Sequence, residues 1–291
     1  MDVLKKGVYK NDKDIVFFLA FSTNSWALDY QDYEKFNSDR RYKRGEVVTY
    51  SNRIWVSVLP SSNVEPLKSH RRWARVALTG IDEWRSGQFY FLGDTVSIEQ
   101  KFYFVKRLGF SKPGSYFGQY QWEEFTHPAI GYELPILNQD DALSTIDGVD
   151  SNFDGVRDDY EIYVVMGHTD PVLRSLGFKA GKVYQRLLNL ASMDISELSF
   201  ESAALLTDSL VAIRVCVRQK IRSEDNFFGY QHKYLNTTER FEAYYRAQSM
   251  LYELLGDEYE PKVSDMPCHQ VASVEVKLTQ TKKPSARLLF R

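Results

Sequence analysis

Two textures of apolar spacing divide the chain. Up to about residue 130, apolar positions come in short alternating runs, "EVVTY" with "RIWVSV" and then "DTVSI" with "KFYFVKRL". A period of two marks strands, and Ser51-Asn52 and Glu99-Gln100 between the paired runs predict tight turns. Beyond "GHTDP" the period lengthens. "FKAGKVYQRLLNLASM", "SFESAALLTDSLVAIRVCVRQKI" and "TTERFEAYYRAQSMLYELLG" place apolar residues at spacings of three and four, which predicts about three amphipathic helices. Start signals fall at Asp194 or Ser199 and at Asn236 with Glu239 three residues on, and Gly256 marks the last stop. Leu205, Leu206, Leu210, Ile213 and Val217 are expected in the core, and Tyr244, Tyr245 and Tyr252 are expected to pack rather than recognise a ligand. Alternation returns in "SVEVKLT", Ser273 to Thr279, followed by an arm carrying Lys282, Lys283, Arg287 and Arg291. An early apolar run, Ile15 to Phe21, also reads as a strand.

The first texture is a duplication. Displacing the chain by 48 positions aligns "YKRGEVVTY" from Tyr42 with "YFLGDTVSI" from Tyr90. Phe36 then meets Trp84, Gly45 meets Gly93, Val48 meets Val96 and Trp55 meets Tyr103; with one residue of slip Pro66 meets Pro113 and Trp73 meets Trp122. A fixed period means two copies of one supersecondary unit. A unit this small needs a large aromatic payload, so Trp73, Trp122, Tyr42 and Tyr90 are expected core. Tyr116, Phe117 and Tyr120, in the loop "PGSYFGQY", are the surface candidates.

The order aromatic, Tyr-x-x-Gly-(Asp/Glu)-x-Val, aromatic hairpin strand, Pro and closing Trp resembles the small chitin-binding modules of carbohydrate-binding families 5 and 12. The resemblance covers residues 34 to 128, twice over. It implies an aromatic platform that stacks on sugar faces. The family's own aromatic pair is replaced here by "SVLP" and "KRLGF", and Phe110, Tyr116 and Tyr120 are the residues available to substitute. A plain protein-protein adaptor is the alternative use of such units.

"IDGVDSNFDGVRDDYE", Ile146 to Glu161, carries the most specific chemistry. "DGVDSNFD" imitates the acidic strand signature of family 18 chitinases, which would make Asp147, Asp150 and Asp154 catalytic. Three features oppose that. The final acid is Asp where the proton donor geometry favours Glu, Ser151 stands where a doubly buried strand wants an apolar residue, and too little chain follows for a (β/α)₈ barrel. Read from Asp150, the stretch instead fits a twelve-residue calcium loop. Asp150, Asn152 and Asp154 offer side-chain oxygens, Gly155 permits the sharp turn, Val156 offers its carbonyl, Asp158 acts directly or through water, and Glu161 chelates with both oxygens. Six to eight oxygens converging from one short segment are what a hard cation such as Ca²⁺ requires, whereas magnesium keeps more of its water. No incoming helix is evident ahead of Gly148, so the loop resembles the half-hands of dockerins and thrombospondin-type repeats, with a helix following from Asp158 to Met166. Calcium is expected to rigidify this junction.

Composition narrows the rest. With 37 basic and 39 acidic side chains in 291 residues, overall charge makes no case for nucleic acid or a membrane surface. The two cysteines, Cys216 in an apolar helical pattern and Cys268 in the loop-like "MPCHQ", read as incidental thiols. His70, His127, His168, His232 and His269 show no metalloprotease spacing, and His168 beside Asp170 is a lone pairing; surface or capping roles are expected for all five. Neither a Gly-x-Ser-x-Gly elbow nor a phosphate-cradling loop occurs. No signal-peptide pattern or bilayer-length apolar stretch is present.

These features together predict an α+β multidomain chain: an N-terminal strand or arm (1–33), two all-β repeats (34–80 and 81–130), a calcium-loop junction (131–170), a helical region (171–260) and a C-terminal strand with a basic arm (261–291). They resemble bacteriophage virion proteins of the tail, neck or baseplate. The expected role is non-enzymatic, with other virion proteins and self copies as partners and a cell-surface or polysaccharide ligand as an option. Nucleic acid and membrane insertion are not expected, and the protein would be made in the host cytoplasm and carried in the particle. A carbohydrate-binding accessory protein of a polysaccharide-degrading system is the alternative.

Overall fold

The computed structural model describes residues 32–220 and 229–273, and its fold is α+β. The early run Ile15 to Phe21 and the arm with Lys282, Lys283, Arg287 and Arg291 lie outside these residues, as does all of the "SVEVKLT" segment after Ser273.

The duplication is visible bond by bond. β1 (Val47–Tyr50), β2 (Arg53–Ser57) and β3 (Trp73–Arg75) form an antiparallel sheet in that order. The second repeat matches them with β5 (Thr95–Ile98), β6 (Lys101–Val105) and β7 (Trp122–Phe125), preceded by β4 (Asp82–Glu83), which pairs parallel to β5. The short helix α1 (Gly118–Gln121) leads into β7. Ser51 and Asn52 have φ of 51° and 57°, and Glu99 and Gln100 have 52° and 65°. Two consecutive left-handed residues make the turn whose twist matches the flanking strands, which is why the registers close tightly at Tyr50↔Arg53 and Ile98↔Lys101. The Tyr42 hydroxyl accepts from the Asn37 amide at 2.7 Å, and that of Tyr90 accepts from the Arg85 amide at 2.8 Å.

Strand alternation then sends the hairpins' side chains to two destinations. Tyr42, Val48, Trp55 and Trp73 close a small core in the first repeat, and Tyr90, Val96, Tyr103, Val105 and Trp122 close its counterpart. The opposite faces, Ile54 and Val56 from one repeat and Phe104 and Phe125 from the other, meet in one shared core. Close backbone approach holds the two together. A Cβ on Gly93, whose φ is +87°, would stand 2.7 Å from the Arg75 carbonyl oxygen, and one on Gly45 would stand 2.8 Å from that of Lys106.

The helical half comprises α2 (Gln139–Leu143), α3 (Asp158–Gly167), α4 (Pro171–Leu190), α5 (Phe200–Lys220), α6 (Gly229–Tyr234), α7 (Thr238–Leu255) and α8 (Pro267–Ser273). α4 starts earlier than its apolar pattern suggests because Asp170 caps it, accepting from Val172 and Leu173, with Pro171 at the first position. α7 is capped by Thr237 rather than by Asn236, whose side chain is engaged by Arg240 and Arg157. Leu206, Leu210, Ile213 and Val217 are buried, but Leu205 is exposed. Tyr244 is buried, whereas Tyr245 and Tyr252 stand on the surface, since the buried stripe of α7 is narrower than its aromatic content.

One sequence expectation is overturned here and one is narrowed. Cys216 and Cys268 are joined in a disulfide, and "MPCHQ" enters a helix, α8, which the bond ties to α5. His127 is buried and not on the surface; of the two expected roles it keeps the capping one, its Nδ1 accepting from the Ala129 amide at 3.1 Å, and burial pushes its pKa down to about 4.

Candidate functional site: the acidic loop and the junction it opens

The segment from Asp150 to Arg157 is a loop, not a strand, and α3 begins at Asp158. The barrel-strand geometry that the chitinase-like reading needs is therefore absent from this stretch. The loop's own polar groups shape it. Asp150 accepts from the Gly155 amide at 2.9 Å and from Asp154 at 3.2 Å, while Asp154 accepts from Val156 at 2.8 Å. Phe153 and Gly155 take left-handed backbone, with φ of 57° and 84°, and so fold the loop sharply back. Farther on, Asp158 accepts from the Ser151 amide at 2.9 Å, and Glu161 accepts from the Asn152 amide nitrogen Nδ2 at 3.2 Å. Asp150, Asn152, Asp154, Asp158 and Glu161 are thus drawn into one turn, with Val156 buried beneath it.

Its electrostatics are those of crowded anions. Asp158 and Glu161 are both buried. Burial first, then the charges of Asp154, Asp158 and Asp150, push the Glu161 carboxyl up to about 7, against the lowering effect of its bond from Asn152. A divalent cation among these oxygens would remove that repulsion, and an all-oxygen set from a single loop suits a hard ion. Among the described residues no group of three or more His, Cys, Asp and Glu side chains stands ready to hold a metal ion. Several of the loop's carboxylate oxygens are turned onto its own amides and would have to turn inward to bind one.

The loop leads directly into α3. Tyr160 and Val164 pack into the core of the helical half, while Ile162 and Val165 pack into the core shared by the two β repeats. The helix has no solvent face of any breadth because each half covers one side of it. The short α2 ends at Leu143, and residues 144–149, which lead into the loop at Asp150, form no helix.

Two buried arginines fix the loop in place, and the sequence reading passed over both. Arg157 chelates Asp159 at 2.8 and 3.1 Å, donates to the Tyr234 carbonyl at 2.9 Å and lies over the Tyr234 ring. Arg240, from α7, donates to the carbonyls of Ala142 at 2.6 Å, Thr145 at 2.9 Å and Ile146 at 2.9 Å, and to Asn236 at 2.5 Å. Gly148 is confined by both: at φ +65°, its Cβ would stand 2.4 Å from Arg157 Cδ and 2.8 Å from Arg240 Nη2. Nothing in the sequence pairs positions this far apart. The one available signal was an Arg inside an otherwise anionic loop.

The sugar-platform candidates lie elsewhere, on the second repeat. Phe110, Tyr116 and Tyr120 are 69%, 73% and 52% exposed. Tyr116 stands edge-on to Phe117 at 81° and to Tyr120 at 83°, so these rings form a corner and not a flat platform. The bridge Tyr90↔Gly109 adds exposed Phe89 and Phe91 to the same repeat, across from Leu108 and Phe110. The 48-residue offset could have revealed them, since the first repeat carries Arg41 and Lys43 at these positions.

Comparison of the chain with models of known families, with curated proteins and with solved structures found no match in any of the three.

Proposed function

We propose that this chain is a non-enzymatic structural and binding component of an extracellular assembly, most concretely a bacteriophage virion protein of the tail, neck or baseplate, with a fold stabilised by calcium. The observation that carries this reading is the acidic loop opening directly into α3, the helix that both halves bury. An ion bound there acts on the relative placement of the β repeats and the helical region, which is where a particle component under mechanical stress needs stiffness. The two β modules, the calcium junction and the helical region are then units of one multidomain building block, with the C-terminal arm left to dock on neighbouring copies. The disulfide supports exposure to an oxidising environment, which a released particle meets.

Thermal unfolding with chelator and with about 5 mM calcium, above the roughly millimolar constants of extracellular loops, tests it. At about fivefold excess over a millimolar dissociation constant the gain is about 1 kcal/mol, or roughly 2–4 °C for a chain of this size. Asp150→Ala and Glu161→Gln abolish most of that shift. Equal melting with and without calcium overturns the metal site, and absence of the protein from purified particles overturns the assembly role.

The exposed rings on the second repeat favour one other reading, a carbohydrate-binding accessory protein. It predicts retention on insoluble chitin that falls at least about fivefold in Tyr116→Ala/Tyr120→Ala, a loss of roughly 1 kcal/mol or more from ring stacking. Passage of the wild-type chain through chitin unretained disposes of it.

A further inference from the structure

The second β repeat carries an apolar ribbon that its own packing does not use. Tyr90 and Gly109 form an antiparallel bridge, with backbone bonds of 2.8 and 3.4 Å, and Tyr90 turns into the small core of the repeat. Their neighbours along both strands, Phe89, Phe91, Leu108 and Phe110, therefore fall on the opposite face, where they are 42–69% exposed. The first repeat is a built-in control. Its equivalent bridge, Tyr42↔Ser61, is flanked by Arg41, Lys43, Pro60 and Ser62, all exposed. The unit closes with those residues at the four positions, so the second copy does not need Phe, Phe, Leu and Phe there in order to fold. Large apolar side chains kept in water at positions the fold leaves free mark a contact surface.

The near-neutral charge of the whole chain hides a local excess here. Positions 84–93 and 106–122, the two segments that build the ribbon, contain Arg85, Lys106, Arg107 and Lys112 and no acidic residue. Lys106 pairs with Glu123, whereas Arg85, Arg107 and Lys112 are exposed and make no ion pair among the described residues. We infer that this face docks reversibly on an anionic phospholipid bilayer, the Phe and Leu side chains entering the interface while Arg85, Arg107 and Lys112 meet headgroup phosphates. Two observations set a bilayer above other occupants. Phe89 and Phe91 meet at 70° with centroids 5.3 Å apart and so offer no flat platform to a sugar ring, whereas a fluid interface has no fixed shape to match. The four apolar side chains present about 400 Å², roughly half of what one side of a stable protein interface buries. This contact is independent of calcium and of any role in a particle.

Co-sedimentation of the full chain with phosphatidylcholine vesicles, with and without phosphatidylglycerol, provides the test. Binding is expected to be about tenfold tighter to the anionic vesicles and to weaken in high salt. Phe91→Lys/Phe110→Ser removes the two most exposed rings and installs the residues with which the first copy already folds. It is expected to weaken binding to anionic vesicles about tenfold even though it adds a cation, the opposite of what charge alone would give. Arg107→Gln/Lys112→Gln, at exposed positions, instead removes the preference for phosphatidylglycerol. An unchanged melting temperature shows that each variant keeps its fold. Failure of the wild-type chain to bind anionic vesicles, or binding that holds or rises in Phe91→Lys/Phe110→Ser, overturns the inference. So does lipid-free self-association that the same pair of substitutions abolishes, which would assign the face to a second copy of the chain.

Discussion

Arg240→Ala is expected to lower the free energy of unfolding by about 3–5 kcal/mol, read from the urea midpoint at unchanged slope. The side chain is fully buried and its guanidinium is the common donor to three carbonyls of the segment ahead of the acidic loop, those of Ala142, Thr145 and Ile146. Truncation leaves those carbonyls and Asn236 without this donor in a buried setting. It also removes a positive charge from beside Asp159, whose carboxylate lies 3.9 Å away. Arg240→Lys recovers less than half of the loss, because one ammonium cannot serve partners spread around a planar fork. A midpoint within about 0.5 kcal/mol of wild type, the ordinary range for surface substitutions, would mean that the loop is held by other contacts.

Reduction of the Cys216–Cys268 bond has an effect of the same order. The two residues are 52 apart in sequence, and closing a loop of that length removes about 4 kcal/mol of chain entropy from the unfolded state. Unfolding with and without a phosphine reductant should therefore differ by that amount, and Cys216→Ala/Cys268→Ala should match the reduced protein and lose its response to reductant. Cys216 is buried within α5, so native protein should titrate no free thiol before denaturation. Two reactive thiols in oxidised native protein would show that α8 is not tied down.

The β repeats were the most legible part of the fold, because local rules act on them directly. Ser51-Asn52 and Glu99-Gln100 signalled turns, the 48-residue offset carried over to paired hydrogen bonds such as Tyr42 with Asn37 and Tyr90 with Arg85, and α3 starts at Asp158 where the acidic loop ends. Helical periodicity located α5 and α7 but not how wide their buried stripes are, so Leu205, Tyr245 and Tyr252 proved exposed. What failed was anything decided by distant chain segments. The disulfide, the burial of His127 and the seating of Arg157 and Arg240 each depend on residues that meet only after folding. Short helices such as α2 and α6 lack the length for a periodic signal and are set by what they pack against.

Because Ile54 and Val56 of one β unit are roofed by Phe104 and Phe125 of the other, neither copy of the duplication is a portable cassette. Cutting the chain between Gly80 and Glu83 would unroof a greasy surface on both fragments, so selection can change their outward loops independently but must alter their inward faces as a matched pair. Phe89 and Phe91, which align with Arg41 and Lys43 of the first copy, show that division of freedom: the outsides differ in chemistry while the turns and glycines beneath them match.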